Sequence, residues 1–397
     1  MHTVLGLAAL LRRYLSGEDL TPLGQRLLEQ AAAQPPAASA LLDAALIMQF
    51  YGKPTLALEL QTEALRDCRH YCIPAALPVR LRVLMLVAPG AMMANVPLEC
   101  LLEQADIELH LYYVSADPLP PEALPPHDLL FVAIGESTVN QPLLAAWQEP
   151  LAHWPVPVLN LPQQIAQTAR DTAAQRLHNL PGVLMPLTWR VERPLLAQLA
   201  AGVTPATCQL PELTWPVLVR PVDSHAGHAL TLTPDAAALA AQLPNLPGEH
   251  FFIAPFIDYR SADGLFRKYR VVLIGGQPFG VHMGISSAWM IHYLNAGMAD
   301  DAAKRAEEAA FLGNFADFAQ RHDAALRAIH ERMELDYLGI DCAELPDGRL
   351  LIFEVDPAMV VHSFDPIDLY PYKQPAMQHI FTAFRALLLT AAAGATR

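Results

Sequence analysis

The chain is poor in charge and in cysteine. Only 17% of its 397 residues are Asp, Glu, Lys or Arg, against 53% hydrophobic ones, a balance that excludes a largely disordered chain and lets a chain of this length bury the cores of two or three domains. The five cysteines, Cys68, Cys72, Cys100, Cys208 and Cys342, are scattered and give no disulfide framework. Cys68 and Cys72 flank His70 on what reads as a helix face, but two further ligands are missing, which argues against zinc there. Apolar runs long enough to cross a bilayer are lacking, and the opening MHTVLGLAALLRRYLSGEDL reads as an amphipathic helix. Cytoplasmic is the expected location. Cations are outnumbered, with a net charge of −14, which disfavours nucleic acid or an anionic membrane as the main partner. A Gly-x-x-x-x-Gly-Lys loop, a Gly-x-Gly-x-x-Gly after the first strand and a Gly-x-Ser-x-Gly elbow are all missing, which disfavours P-loop, dinucleotide-binding and hydrolase-elbow chemistry.

Proline is plentiful, at 35 residues, and marks many rigid loop and strand ends. Residues 4–72 read as helices only, from apolar spacing in 4–15, 21–32, 39–50 and 55–67. Gly52, Ala57 and Ala64 sit at offsets similar to one tetratricopeptide unit, but a stable array needs about three repeats, and an ordinary helical hairpin is the favoured reading. ALPVRL (76–81) reads as a linker. Strands RVLMLVAP, ELHLYYV, DLLFVAIG and VPVLN then alternate with helices, which indicates a parallel sheet. Ligands bind at the C-terminal ends of such strands, so Asn95 and the Gly135-Glu136-Ser137 turn are candidate substrate contacts.

The chemistry concentrates later. In GIDCAELPDGRLLIFEVDP (339–357) a Pro-Asp-Gly turn folds the strand of Asp341 back beside Glu354 and Asp356. Glu354 and Asp356 are two apart and share a strand face, and such hard oxygens suit Mg²⁺ beside phosphate. FRKYRVVLIGG places Lys268 and Arg270 on one face, where they would hold a γ-phosphate and developing acyl-phosphate charge. PVLVRPVDSHAGHALTL ends an apolar strand in Arg220, followed by a loop with Ser224, His225 and Gly227. A cation, a loop and an acidic cluster together point to a nucleoside triphosphate.

The order of five pieces, VLVRP, VDSHAGH, FFIAPFIDY, FRKYRVVLIGGQPFG and GIDCAEL…FEVDP, resembles the ATP-grasp ligases, in particular the branch of glutathione synthetase and the ribosomal-protein glutamate ligase. The resemblance covers roughly residues 80–385, with Arg220 where lysine is usual and Asp356 where asparagine is usual. With the N-terminal helical unit (1–78) read from the apolar spacing, it implies an α+β and α/β multidomain fold: an α/β pre-ATP-grasp domain (79–162) and an ATP-grasp module (163–397). It further implies ATP and Mg²⁺, with Arg220, Ser224, His225 and Gly227 at the phosphates, the backbone of Ala254 and Phe256 at adenine and Asp258 at ribose. Asp341, Glu354 and Asp356 would hold metal, and Lys268 and Arg270 would act in catalysis. In the family an Asp-Lys pair supplies another phosphate lysine. Here Asp171 is followed by Thr172, which leaves Arg170 as the substitute one position earlier.

The implied reaction is amide or peptide bond formation between small-molecule or peptide carboxylate and amine substrates, through an acyl-phosphate. The alternatives are an ATP-grasp small-molecule kinase, or a non-catalytic ATP-binding scaffold whose helical unit contacts a protein or a second copy. GVHMGISSAWMIHYLNAGM (280–298) reads as a loop or lid over the acceptor, with His282, Trp289, His292 and Tyr293 as substrate contacts, joined by His362 and by Lys373 for a carboxylate. Residues 1–75 carry no phosphate or metal cluster and are expected to be dispensable for Mg-ATP binding.

Overall fold

A computed structural model describes residues 2–33, 37–224 and 227–394. Three sheets organise the chain. The first is six-stranded, in the order β1-β2-β4-β3-β5-β6. Its strands are β1 (His2–Thr3), β2 (His70–Ile73), β3 (Leu81–Val87), β4 (Ile107–Tyr113), β5 (Leu129–Val132) and β6 (Val158–Leu159). β3 to β6 pair in parallel, and β2 runs antiparallel to β4. β3 and β5 are almost wholly buried, as expected where helices cover both faces of a parallel sheet.

Helices α1 (Gly6–Leu15), α2 (Thr21–Ala31), α3 (Ala38–Phe50) and α4 (Pro54–Asp67) precede β2. α3 and α4 form a hairpin about Gly52, whose φ is +68°. The reading of residues 4–72 as helices only is corrected at its end. His70–Ile73 is a strand, because its alternating side chains pair with β4, and through it the helical unit shares a sheet with the α/β strands.

The remaining strands are β7 (Val183–Leu184), β8 (Trp189–Glu192), β9 (Val217–Pro221), β10 (Thr231–Thr233), β11 (His250–Pro255), β12 (Phe266–Ile274), β13 (Gln277–Ser286), β14 (Tyr337–Glu344) and β15 (Leu350–Asp356). β10-β9-β11-β8 form a four-stranded antiparallel sheet, and β13-β12-β14-β15-β7 a five-stranded one. The four-stranded sheet has its own core around Leu196, Leu199, Val217, Val219, Phe251 and Ile253. In β12 the first half carries cations, while Val271–Ile274 is buried on both faces. Val272, Ile274 and Tyr337 join a core with Phe131 of β5 and with Phe384 of the helix Lys373–Gly394. Asn160 fixes the joint between first and third sheets, since its side chain bonds both the N–H and the C=O of Tyr337 at 2.9 Å. The reading that no apolar run is long enough to cross a bilayer is corrected by the helix Lys373–Gly394, the one described helix that meets that length and composition. Here its Ile380, Phe384 and Leu388 are buried against protein.

Candidate active site

Cross-strand neighbours lie on the same face of a sheet. In the third sheet the pairings His282–Arg270, Arg270–Asp341 and Asp341–Glu354 therefore make one row across β13, β12, β14 and β15. Lys268 is two residues from Arg270 and shares the face. The β14–β15 hairpin closes through the expected Pro-Asp-Gly turn, with Gly348 at φ +86°. Gly339 admits the chain that leaves β15. A Cβ at Gly339 would lie 2.8 Å from the carbonyl oxygen of Asp356 and 2.7 Å from Met359 Sδ.

Asp341 is fully buried. Arg270 donates to both of its oxygens, at 2.8 and 3.0 Å, and Lys268 Nζ lies 2.6 Å from Oδ2. Burial alone would raise the carboxyl's pKa, but the charges of Arg270 and Lys268 outweigh it and hold it far below the usual range. Both oxygens of Asp341, an expected metal ligand, are paired with cations here, as Glu354 is with Arg170. Among the described residues, the trio whose ligating atoms all lie within 4.8 Å of one another is Cys72, Glu108 and His110, outside this site. Glu354 is paired with Arg170, and Asp356 accepts from the N–H of Ala358 at 2.7 Å. Glu354 and Asp356 are half-buried on one strand face. A hard-oxygen pair of this kind fits Mg²⁺, which takes one or two carboxylates plus phosphate oxygens.

Arg170 opens the helix Arg170–Leu177 and also donates to the carbonyl of Phe353 at 3.3 Å. Burial lowers its pKa, while Asp356, Asp341 and Glu136 act in the opposite sense. Arg220, on β9, differs. It donates through Nε to Ser224 Oγ at 3.1 Å and through Nη2 to the Ser224 carbonyl. Among the described residues it has no carboxylate partner. Burial, and then the like charge of Arg170, push its pKa down to about 9. Gly227 has φ +75°, and a Cβ there would lie 2.8 Å from Met290 Sδ, so the loop after Arg220 packs tightly on the 287–292 segment. His225 lies outside the described residues.

The rim adds a group that sequence reasoning missed. Arg190 lies 3.4 Å from both Asp171 Oδ2 and Thr138 Oγ1 and stacks over Phe252. Glu136, in the expected turn, has its pKa raised by burial first and has Asp223, Arg190 and Asp171 around it. At the proposed adenine strand, β8 pairing ends at Ile253, one residue before Ala254. The N–H of Phe256 is taken by the carbonyl of Pro216 at 2.8 Å, so it does not serve a base. Asp258 is exposed and accepts from the N–H of Arg260 at 3.0 Å.

The acceptor contacts need more correction. Residues 280–286 belong to β13, not to a lid, and Gly280 is close-packed, with a Cβ there meeting Phe315 at 2.7 Å. Lys373 is 4% exposed. It donates to Tyr293 Oη at 2.6 Å and pairs with Asp365 at 3.3 Å and Glu308 at 3.7 Å. Fully buried Glu308 accepts from the hydroxyls of Tyr293 and Tyr372 and from the N–H of Met283. Lys373 and Tyr293 thus form an internal node that pins 293–295 to the sheet, and neither offers a free group to a carboxylate. Asn95 is likewise closed, its amide bonded both ways to the backbone of Ala88 at 2.7 and 2.9 Å.

Trp289 packs edge-on to Phe256 with ring centroids 5.6 Å apart. His292 bonds Asn295 through its N–H at 3.0 Å, and burial, then Lys268 and Arg270, lower its pKa. His362 stacks on Phe364, and its Nδ1 accepts from the Phe364 N–H at 3.1 Å. His282 retains the strongest claim. Its Nδ1 is buried without a hydrogen-bond partner among the described residues. Burial, then Arg270, keep the ring neutral by pushing its pKa well below the ordinary histidine value.

No family model matches the chain, and no curated protein matches it. Its fold is similar to several solved structures at low identity. One is a RimK-domain ATP-grasp protein from Sphaerobacter thermophilus DSM 20745, at 16% identity and TM-score 0.43, covering 78% of this chain and 99% of that one. Another is D-alanine–D-alanine ligase from Bacillus anthracis complexed with ATP, at 12% and 0.46, covering 79% and 96%. A third is the VanG D-Ala:D-Ser ligase from Enterococcus faecalis, at 14% and 0.49, covering 78% and 99%.

Proposed function

We propose that this chain is an ATP-dependent ligase of the ATP-grasp type, joining a small-molecule or peptide carboxylate to an amine through an acyl-phosphate. The observation that carries the reading is Arg220, a half-buried guanidinium with no carboxylate partner among the described residues, beside a second cation, Arg170. A buried, unneutralised charge is costly, and an anion such as a triphosphate relieves it. Arg220 and Arg170 then bind phosphate oxygens, with Ser224 holding Arg220 in place. Lys268 and Arg270 are oriented by Asp341, which keeps both cations in one geometry and aimed across the row.

The substrate carboxylate oxygen attacks the γ-phosphorus as the bond to ADP breaks. Arg270 and Lys268 offset the charge that develops on the transferred group. Attack of the amine on the acyl carbon then expels phosphate. The proton that the amine loses leaves with the departing phosphate, while neutral His282, opposite Arg270 in the row, offers its unpartnered ring nitrogen to hydrogen-bond the amine. Glu354 and Asp356 would hold magnesium, which when bound neutralises triphosphate charge.

The test is ADP release screened over amino acids and short peptides, with hydroxylamine present. A hydroxamate formed only with ATP and one carboxylate supports the ligase. ADP release with phosphate found on a hydroxyl and no hydroxamate would favour a kinase. Absence of ATP binding by the folded chain rejects the proposal.

A further inference from the structure

The face that β2 and β4 share holds a cluster outside the phosphate cations. Their antiparallel register sets Cys72 opposite His110 and His70 opposite Tyr112. Side chains two apart in a strand share a face, so His70, Cys72, Glu108 and His110 all project from the same side. The ligating atoms of Cys72, Glu108 and His110 lie within 4.8 Å of one another. His110 Nε2 is 3.1 Å from Glu108 Oε1, and His110 Nδ1 is 3.0 Å from His70 Nε2. Cys72 and His110 are 2% and 1% exposed. The Glu108 side chain is 20% exposed, with Arg82 Nε 3.6 Å from it, and opens the cluster to solvent.

We propose that Cys72, Glu108 and His110 form a binding site for a zinc-class divalent cation, with His70 as the residue that positions His110. A thiolate, an imidazole and a carboxylate are the sulfur, nitrogen and oxygen donors that zinc takes. Magnesium and calcium prefer oxygen alone. Tetrahedral zinc holds such donors roughly 3.2–3.7 Å apart, given bonds of about 2.0–2.3 Å, so the cluster closes on an ion by small side-chain rotations.

If His110 ligates through Nε2, its Nδ1–H is left to donate to His70 Nε2. That is how ligating histidines are commonly held by a neighbour. The Cys72 thiol gives its proton to solvent as the metal–sulfur bond forms, and Glu108 exchanges Arg82 for the ion. Three protein ligands leave a fourth position for water. Because Cys72 comes from β2 and the other two ligands from β4, the ion would staple the strand leaving the helical unit to the α/β sheet. The site shares no residue with the phosphate cations, so its failure and that of the ligase reading are separable.

The full-length chain, stripped with a chelator, is titrated with Co²⁺ and then Zn²⁺. One Co²⁺ per chain is expected, with a thiolate-to-cobalt charge-transfer absorption that stoichiometric Zn²⁺ abolishes. The band should vanish in Cys72→Ser and survive in Cys68→Ser, since the Cys68 thiol donates instead to the His70 carbonyl at 3.0 Å. Zinc affinity should fall at least tenfold in Glu108→Gln and His110→Gln, and about 10–100-fold in His70→Gln. Zinc should raise the unfolding midpoint of the wild type but not of Cys72→Ser. A folded wild-type chain without the band, a band that persists in Cys72→Ser, or one lost in Cys68→Ser overturns the proposal. Should Cys72→Ser not fold, Glu108→Gln at the open edge decides, and zinc affinity equal to wild type rejects the site.

Discussion

Replacing Arg220 by methionine should make the free protein more stable and its nucleotide complex weaker. The reduction of its pKa to about 9, caused by burial and then by Arg170, corresponds to roughly 5 kcal/mol of unfavourable environment for the charge. Two hydrogen bonds to Ser224 offset part of this, each worth about 1.5 kcal/mol for a charged donor. Methionine of similar length keeps the stem packing and leaves half-buried Ser224 to water, so the net gain in the free chain is about 2 kcal/mol. The same change deletes a charged hydrogen bond to phosphate, worth about 1.5–3 kcal/mol, or roughly a 10–150-fold rise in the Kd of ATP. Urea unfolding of the free chain measures the first effect and calorimetric titration with ATP the second. The opposite signs are the signature of a charge retained for a ligand. An Arg220→Met chain that is less stable than wild type and binds ATP equally well would show that the guanidinium serves the fold alone. Arg220→Lys keeps the charge and should retain measurable activity.

Four further outcomes follow from the geometry. Asp341→Asn strips the shared counter-ion from Lys268 and Arg270 and should cost about 3–5 kcal/mol of stability, part of it regained with saturating ATP; equal urea midpoints in mutant and wild type would refute the pairing. His282→Gln should lower kcat/KM for the amine about tenfold, the worth of one hydrogen bond, while the KM for ATP changes less than about twofold, and steady-state kinetics with each substrate varied decides. Burial raises Glu99 to about 7 and Asp43 to about 6, where they accept from the N–H groups of Ala8, Leu5 and Gly6. The native state therefore keeps protons that the unfolded chain has released, so stability falls as pH rises from about 4.5 through about 7, by about 3 kcal/mol from Glu99 alone; Glu99→Gln should flatten a melting profile taken across that range. A chain beginning at Arg80 should aggregate in size-exclusion chromatography, not simply lose a dispensable unit, because it uncovers the β4 edge that β2 pairs; a monodisperse, folded product would restore the expectation of independence.

What the sequence made legible was which residues share a face of one strand. Alternation in FRKYRVVLI placed Lys268 and Arg270 together, and the Pro-Asp-Gly turn brought Asp341 opposite Glu354, because both features depend on contacts a few residues apart. Arg170 reaches Glu354 across 184 residues, and no local pattern carries such a distance. His70–Ile73 went unread as a strand because helical periodicity ran up to it from α4, while its partner lies in β4 beyond a proline-rich connection. The same error hid the Cys72–His110 pairing, which exists only in strand geometry. The 280–298 segment misled through its polar content. His282 lies inside a strand, and the hydroxyl of Tyr293 satisfies Glu308.

Lys373 and Arg220 show where local reading ends. Each is a lone cation in an apolar setting, and each suggests an anion site for that reason. Glu308 and Asp365 come from elsewhere in the chain to neutralise Lys373, while Arg220 meets another cation. Whether a buried charge is a strut or a binding group depends on the sum of the charges that the fold brings to it. That sum separates Arg220, whose charge the fold leaves unneutralised, from the internal node at Lys373.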